Sequence, residues 1–453
     1  MPNKTLRLLT QESIIFLSIF KWVVLSTLIG LIVGASTAFF LYILKLSSSV
    51  VSSYHYYFLA LPLVMALCFF ITKKVAPDAE GHGTEKVIRA VHQNSGRIRL
   101  RVVPIKLFTT IMTLAFGGSV GKEGPCAQIG AALASGFSQL FRFSAEDRKK
   151  LVICGISAGF TAVFGTPIAG AIFGVEVLFM GNLLYSVLLP SFISGMMSFQ
   201  VASALGVEHH YYSIPFAEVF NLKFFILTGI AGVFFGLLSV FTIRTVNYFE
   251  RFSKSLTMTP IIKGLLGGTA LVVLTFIFST DYLGLGLTTI DHAFSGADIL
   301  WYAFIIKLIM TSITLAFGGS GGILTPLFFI GTTAGVAFAK LFGLNTAVFA
   351  AFGFVSILSG AANTPLAACI LAVELFGPAI TPYATIACVI SFFMTGYHSI
   401  FPSQVLSMQK TTSVCPDKGR EVEGSDSHIN YHTRKRIVTG RQYAKKVFRS
   451  RYF

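Results

Sequence analysis

The sequence predicts an all-α polytopic membrane protein built from two internal repeats, of inverted topology, made of tilted and broken helices. Three observations carry that prediction: a composition too apolar for a water-soluble chain, uncharged runs as long as a bilayer is thick, and two phrases that each occur twice at nearly one spacing. Of 453 residues, 54% are hydrophobic, 12% are charged and 45 are Phe, and the mean hydropathy is +0.74. A soluble domain carries about twice that share of charge, roughly 25%.

The spanning text begins near the start of the chain. Trp22 to Leu44 is a run of 23 uncharged residues between Lys21 and Lys45, long enough to cross a hydrocarbon core as a helix. A secretory signal has a shorter apolar core, and the same texture recurs as far as Gln409, so the run reads as a span. Phe224 to Ile243, between Lys223 and Arg244, is a second such run, and from Leu308 to Gln409 the only full charges are Lys340 and Glu374. Lipid offers backbone groups no partner, so this text must be helical. Cys68, Cys126, Cys154, Cys369 and Cys388 lie in apolar helical text without metal-ligand spacing and read as small core residues. The net charge of +16 is partly concentrated in "HTRKRIVTGRQYAKKVFRSRYF". A nucleic-acid arm is one reading of that tail; a cytoplasmic orientation signal against anionic lipid is the favoured one, with no nucleic-acid partner. With Lys4 and Arg7 ahead of the first span, both termini are expected in the cytoplasm. The tail is too short for an added regulatory domain. The expected organisation is a transmembrane domain over 1–410, with repeats at about 20–205 and about 220–405, followed by a basic tail over 411–453.

"TLAFGGS" occurs at Thr113 to Ser119 and again at Thr314 to Ser320, an offset of 201 residues. "TPIAGAIFGVEV" (166–177) aligns with "TPLAACILAVEL" (364–375) at an offset of 198. Two independent matches at nearly one offset mean an internal duplication, the signature of a transporter or channel whose site lies where helices are interrupted. The interruptions are Gly-rich: "GHG" (81–83), "GGSVGKEGP" (117–125), "FGTP" (164–167) and "GGSGGILTP" (318–326). Pro125 and Pro326 suit a first helical turn, so each break is expected to be a helix N-terminus at membrane depth. Such an end offers unpaired N–H groups and about half a positive charge, and several of them converging would hold an anion. Isolated small residues in membrane helices serve close packing, but a symmetric G-G-S-x-G-x-x-x-P does more than that.

These residues resemble the CLC family of chloride channels and chloride/proton antiporters. "GKEGP" (121–125) is similar to that family's G(K/R)EGP, and "GGILTP" (321–326) to its GGIFAP-type loop. "GHGTE" (81–85) falls where GSGIP is expected, and "YHSIFPSQ" (397–404) where the late pore-lining tyrosine is expected. The resemblance covers about residues 20 to 410. It implies a homodimer with one pore per protomer, chloride or another small anion as the transported ligand, the lipid membrane as surroundings, and no cofactor. It makes Glu123 the external gating glutamate, a role that an ionisable group in apolar text also points to. His82, Gly83, Lys122, Gly124, Ile323, Leu324 and Phe401 are the implied pore and anion-site residues, with the backbone N–H groups of Ile323 and Leu324 on the anion path. Lys122 attracts anions through its field or snorkels to an interface.

The departures from the family pattern bear on mechanism. His82 stands for a serine, Glu85 for the proline of GSGIP, and Phe401 for the tyrosine, so two hydroxyl donors are missing. His82 can substitute an imidazole donor or a charge, or be a solvated loop histidine ahead of a helix capped by Thr84. The inner glutamate of the antiporters follows the residue matching Glu176, and here it is Val177, as in channel members. Glu176 has a repeat mate in Glu374, which favours a structural role, as acceptor for a neighbouring loop, over a proton relay. The expectation is a passive anion channel gated by protonation of Glu123, with chloride/proton exchange as the alternative and fluoride, nitrate or bicarbonate as further anions. No nucleophile–base pair or HExxH spacing points to an enzyme.

Overall fold

The computed structural model describes residues 4–214, 216, 221–425 and 427–429, and within them the chain forms sixteen α-helices in two sets of eight. The first set is α1 (Lys4–Ser52), α2 (Leu61–Val75), α3 (Thr84–Gln93), α4 (Val102–Ala115), α5 (Glu123–Leu140), α6 (Ala145–Phe164), α7 (Pro167–Glu176) and α8 (Tyr185–Ala204). The second is α9 (Leu222–Ser255), α10 (Pro260–Ile277), α11 (Leu287–Phe294), α12 (Ala303–Ala316), α13 (Leu324–Phe342), α14 (Thr346–Ala362), α15 (Pro365–Phe376) and α16 (Thr381–Met394). Each copy of TLAFGGS ends a helix, α4 or α12, and leads through a loop into the next, α5 or α13.

Six helices among the described residues are long and apolar enough to cross a membrane, and six more are apolar with 10 to 17 residues. The 10 residues of α7 rise only about 15 Å, half of a hydrocarbon core of about 30 Å. Such helices end inside the membrane, as the Gly-rich breaks predict. The break before α7 is built by Gly165 in the left-handed region (φ 71°) and Pro167 in the first turn. The break before α15 uses Asn363 (φ 55°) and Pro365 in the same way; Asn is among the few non-glycine residues that accept this conformation readily.

The repeats meet through reciprocal contacts. Thr113 Oγ1 accepts from Ser320 N at 3.0 Å, and Thr314 Oγ1 accepts from Ser119 N at 3.2 Å. Within each repeat an equivalent lysine holds the turn ahead of it: Lys106 Nζ donates to Ala79 O and Gly81 O at 3.1 and 2.7 Å, and Lys307 Nζ donates to Tyr282 O and Gly284 O at the same two distances. Gly121 and Gly322 exchange both backbone hydrogen bonds, at 2.6 and 2.7 Å, in an antiparallel bridge. Equivalent segments that pair antiparallel run in opposite directions, the mark of inverted repeats. Small residues allow the tight helix pairs: a methyl on Gly130 would lie 2.4 Å from Gly155 O, and one on Gly331 would lie 2.2 Å from Gly353 O. Cys68, Cys126, Cys154 and Cys388 are buried free thiols, and Cys369 is half-buried.

The chain continues to pack on the helices beyond residue 405. Residues 405–425 fold back onto the helices: β2 (Val405–Leu406) pairs with β1 (Phe179–Met180), and β3 (Val414–Pro416) pairs with β4 (Ser427–Ile429). Lys410 Nζ is buried and donates to Asn363 Oδ1 at 2.7 Å and Phe392 O at 2.6 Å. Polar text after the last span reads as a tail, but its polar groups satisfy helix ends that lipid cannot. The basic stretch from 430 on lies outside the described residues.

Candidate functional site

Three helix N-termini converge on one point because the loops ahead of them carry no side chains to hold them apart. A methyl on Gly83 would lie 2.5 Å from Gly124 O, one on Gly124 would lie 2.3 Å from His82 O, and one on Gly322 would lie 2.8 Å from Gly124 N. The loops before α3, α5 and α13 are therefore in backbone contact, and the Gly121–Gly322 bridge locks the last two. Helix N-termini brought together this closely concentrate positive potential and backbone donors where an anion can be held without a full cation.

Glu123 opens α5 with 1% of its surface exposed. Its carboxylate crosses to the other repeat, where Oε2 accepts from Thr325 N at 3.2 Å and from Thr325 Oγ1 in a short hydrogen bond. The acceptor thus sits on the first turn of α13, where the helix favours negative charge. The donor it takes is Thr325, one residue beyond the Ile323–Leu324 pair expected on the anion path; Ile323 is the N-cap of α13 and Leu324 its first residue, both buried. Lys122 is the half-buried N-cap residue of α5.

On the other side of Gly124 stand His82 and Phe401, both buried, with ring centroids 6.4 Å apart. His82 is no solvated loop residue, and the helix after it is capped by Gly83 rather than by Thr84, whose hydroxyl is buried without a hydrogen bond. His82 Nε2 lies 3.3 Å from Glu250 Oε1, without hydrogen-bond alignment. Glu85 uses its carboxylate to accept from Ser403 N at 3.2 Å and, in a short hydrogen bond, from Ser403 Oγ. That pairing fastens the start of α3 to the loop that carries Phe401. Phe401 N–H itself donates to Ser399 Oγ at 3.0 Å.

Glu176 and Glu374 perform one reciprocal task. Glu176 accepts from Leu366 N and Ala367 N at 3.0 and 2.8 Å, capping α15, and Glu374 accepts from Ile168 N and Ala169 N at 3.0 and 2.8 Å, capping α7. Each carboxylate satisfies two of the orphan donors at a helix start buried in the membrane. Val177 is fully buried, and its carbonyl accepts from Gln404 Nε2 at 2.8 Å.

Sequence reasoning overlooked Thr325 and Glu250. The repeat alignment placed Thr325 opposite Gly124, next to the Glu123–Leu324 pair, and was the signal available for it. Glu250 follows the apolar run of α9 in "NYFERFSK", where an acid reads as a solvated helix end.

Comparison with known proteins agrees with this geometry. The model of the family described as voltage gated chloride channel matches residues 63–396. The chain is 34% identical over 412 residues to the chloride/fluoride channel protein of Pseudomonas syringae pv. tomato, covering 88% of this chain and 90% of that protein. It is 27% identical over 335 residues to the H(+)/Cl(-) exchange transporter ClcA of Klebsiella pneumoniae subsp. pneumoniae, covering 70% and 71%. The crystal structure of a CLC-type fluoride/proton antiporter superposes with a TM-score of 0.81 at 30% identity, covering 85% of this chain and 98% of that one. By its paired repeats, its converging helix ends and these similarities, the chain belongs to the CLC family of voltage-gated chloride channels and their antiporter relatives.

Proposed function

We propose that the protein exchanges a halide, with fluoride as the first candidate and chloride as the second, against protons across the membrane. The observation that carries this reading is the seat of Glu123. Its carboxylate occupies the donor group on α13 that an incoming anion needs, so anion and carboxylate compete for one place. A carboxylate that has left that seat, in a buried site, is stabilised by taking a proton. Anion entry and proton uptake are thereby tied to the same side chain. The 30% identical fluoride/proton antiporter and the 27% identical H(+)/Cl(-) exchanger support exchange over the passive channel first expected. The 34% identical relative, named for both chloride and fluoride, supports the choice of anions.

Passive conduction keeps one observation in its favour, the apolar Val177 in place of an inner carboxylate. One experiment separates the two. Purified protein in liposomes is given a fluoride or chloride gradient without a proton gradient, and proton movement is recorded. Exchange predicts protons driven against no gradient of their own; a reversal potential set by the anion alone, at every pH gradient, refutes it. The natural assembly for this test is the homodimer in a lipid bilayer. The basic residues around the ends of α2 and α3, among them Lys73, Lys74, Arg97, Arg99 and Arg101, support a cytoplasmic assignment for that end of the molecule.

A further inference from the structure

Exchange requires a proton route to Glu123, and the residue after Glu176 is Val177, which has no titratable group. We propose that His82, backed by Glu250, carries protons between Glu123 and the cytoplasmic vestibule, an assignment that rests on the exchange reading above. His82 is placed for it. Its carbonyl is packed against Gly124, the residue after Glu123, and its Nε2 lies 3.3 Å from Glu250 Oε1. Only 6% of the His82 side chain is exposed, against 31% of Glu250, so the pair runs from a dry end to a wet end. Both line a cavity of ≈ 310 Å³ that reaches Lys254 and Glu423.

Apart from its approach to Glu250, the ring is not tied into the fold. Neither nitrogen makes a hydrogen bond, although both are buried, and burying polar atoms unpaired is costly unless something is gained. The fold does not demand the residue: its equivalent in the second repeat is Leu285, in a Gly-Leu-Gly turn whose two glycines share the positive φ of Gly81 and Gly83. An imidazole accepts a proton on one nitrogen and releases one from the other. The other charged groups facing the cavity are Glu85, Lys86 and Arg89 from α3, Lys254 from α9, and Lys263 from α10. Lys73 at the end of α2, Glu80 in the loop ahead of α3 and Glu423 from the C-terminal segment complete the set. The step is a proton transfer only. An N–H bond of the imidazolium breaks, an O–H bond forms on the Glu123 carboxylate once it has left Thr325, and Glu250 or water returns a proton to the ring.

The test reads protons moved per fluoride in the same proteoliposomes for the parent protein, His82→Gln, His82→Ala and Glu250→Gln. A positioned proton-transfer group contributes roughly 10²-fold or more, so the ratio should fall by about that factor in both His82 variants and partly in Glu250→Gln. Added imidazole should restore proton flux to His82→Ala, a result that a packing role for the side chain does not give. Fluoride flux above that of empty liposomes certifies folding of each variant. Should a His82 variant fail to fold, Glu250→Gln decides, and a parental ratio there at every pH overturns the assignment. Parental ratios in all variants, with coupling intact in the parent, refute the station alone. A parent that moves no protons refutes exchange, and the station with it.

Discussion

Replacing Glu176 by Gln tests whether this carboxylate is a helix cap or a proton station. In the structure its two oxygens accept from Leu366 N at 3.0 Å and Ala367 N at 2.8 Å. Gln has the same shape, but its amide offers one acceptor oxygen and one NH2 donor. One N–H at the start of α15 keeps a partner, and the other faces a donor. A hydrogen bond to a charged group contributes about 1.5–3 kcal/mol, and a buried donor left unpaired costs about 1–3 kcal/mol. The expected destabilisation is therefore about 3 kcal/mol, on the order of 100-fold in the folded-to-unfolded ratio. Glu374→Gln, which breaks the mirror-image cap, should cost less, because Glu374 is half-buried whereas Glu176 is 5% exposed and water can reach the freed donor. Both variants are to be unfolded in denaturant beside the parent, and their proton-to-halide ratio measured. Lowered stability with an unchanged ratio is the result expected of a cap. A Glu176→Gln protein as stable as the parent but with its ratio collapsed would show the reasoning to be wrong and make Glu176 a relay.

Other substitutions probe the site and the fold around it. Gly124→Ala places a methyl 2.3 Å from His82 O and 3.0 Å from Gly322 Cα; both neighbours are backbone and cannot rotate away, so halide flux should be lost while the protein still elutes as a folded species. Lys410→Met removes the ammonium that holds Asn363 and the Phe392 carbonyl, and limited proteolysis should then cut within residues 405–425 at a dose the parent survives.

The parts legible in the sequence were those written twice. The two TLAFGGS copies foretold paired helix ends, and the structure makes each copy's threonine the partner of the other copy's serine. Glu123 was legible because a carboxylate in apolar text has few structural uses. Thr325 was hidden, since a hydroxyl beside a proline at a helix start reads as a local cap, and only the fold brings Glu123 across to it. The His82–Glu250 pair was hidden for a similar reason: its members lie in different repeats, and nothing local announces that α9 passes beside the α3 loop. The C-terminal segment misled through composition, because residues that satisfy buried helix ends are as polar as residues that meet water.

The division of labour between the repeats follows from what symmetry forbids at the site. Contacts that only hold the halves together can be identical, and they are: threonine to serine and glutamate to helix start. A second carboxylate facing Glu123 would repel it at van der Waals distance in a medium that screens little. The position equivalent to Glu123 is accordingly Leu324, and the acceptor faces a donor, Thr325, whose own equivalent is Gly124 and leaves room for the crossing. The same logic gives His82 a leucine mate at Leu285. The first repeat brings the buried carboxylate of Glu123, while the second supplies the hydroxyl and backbone N–H that it accepts from.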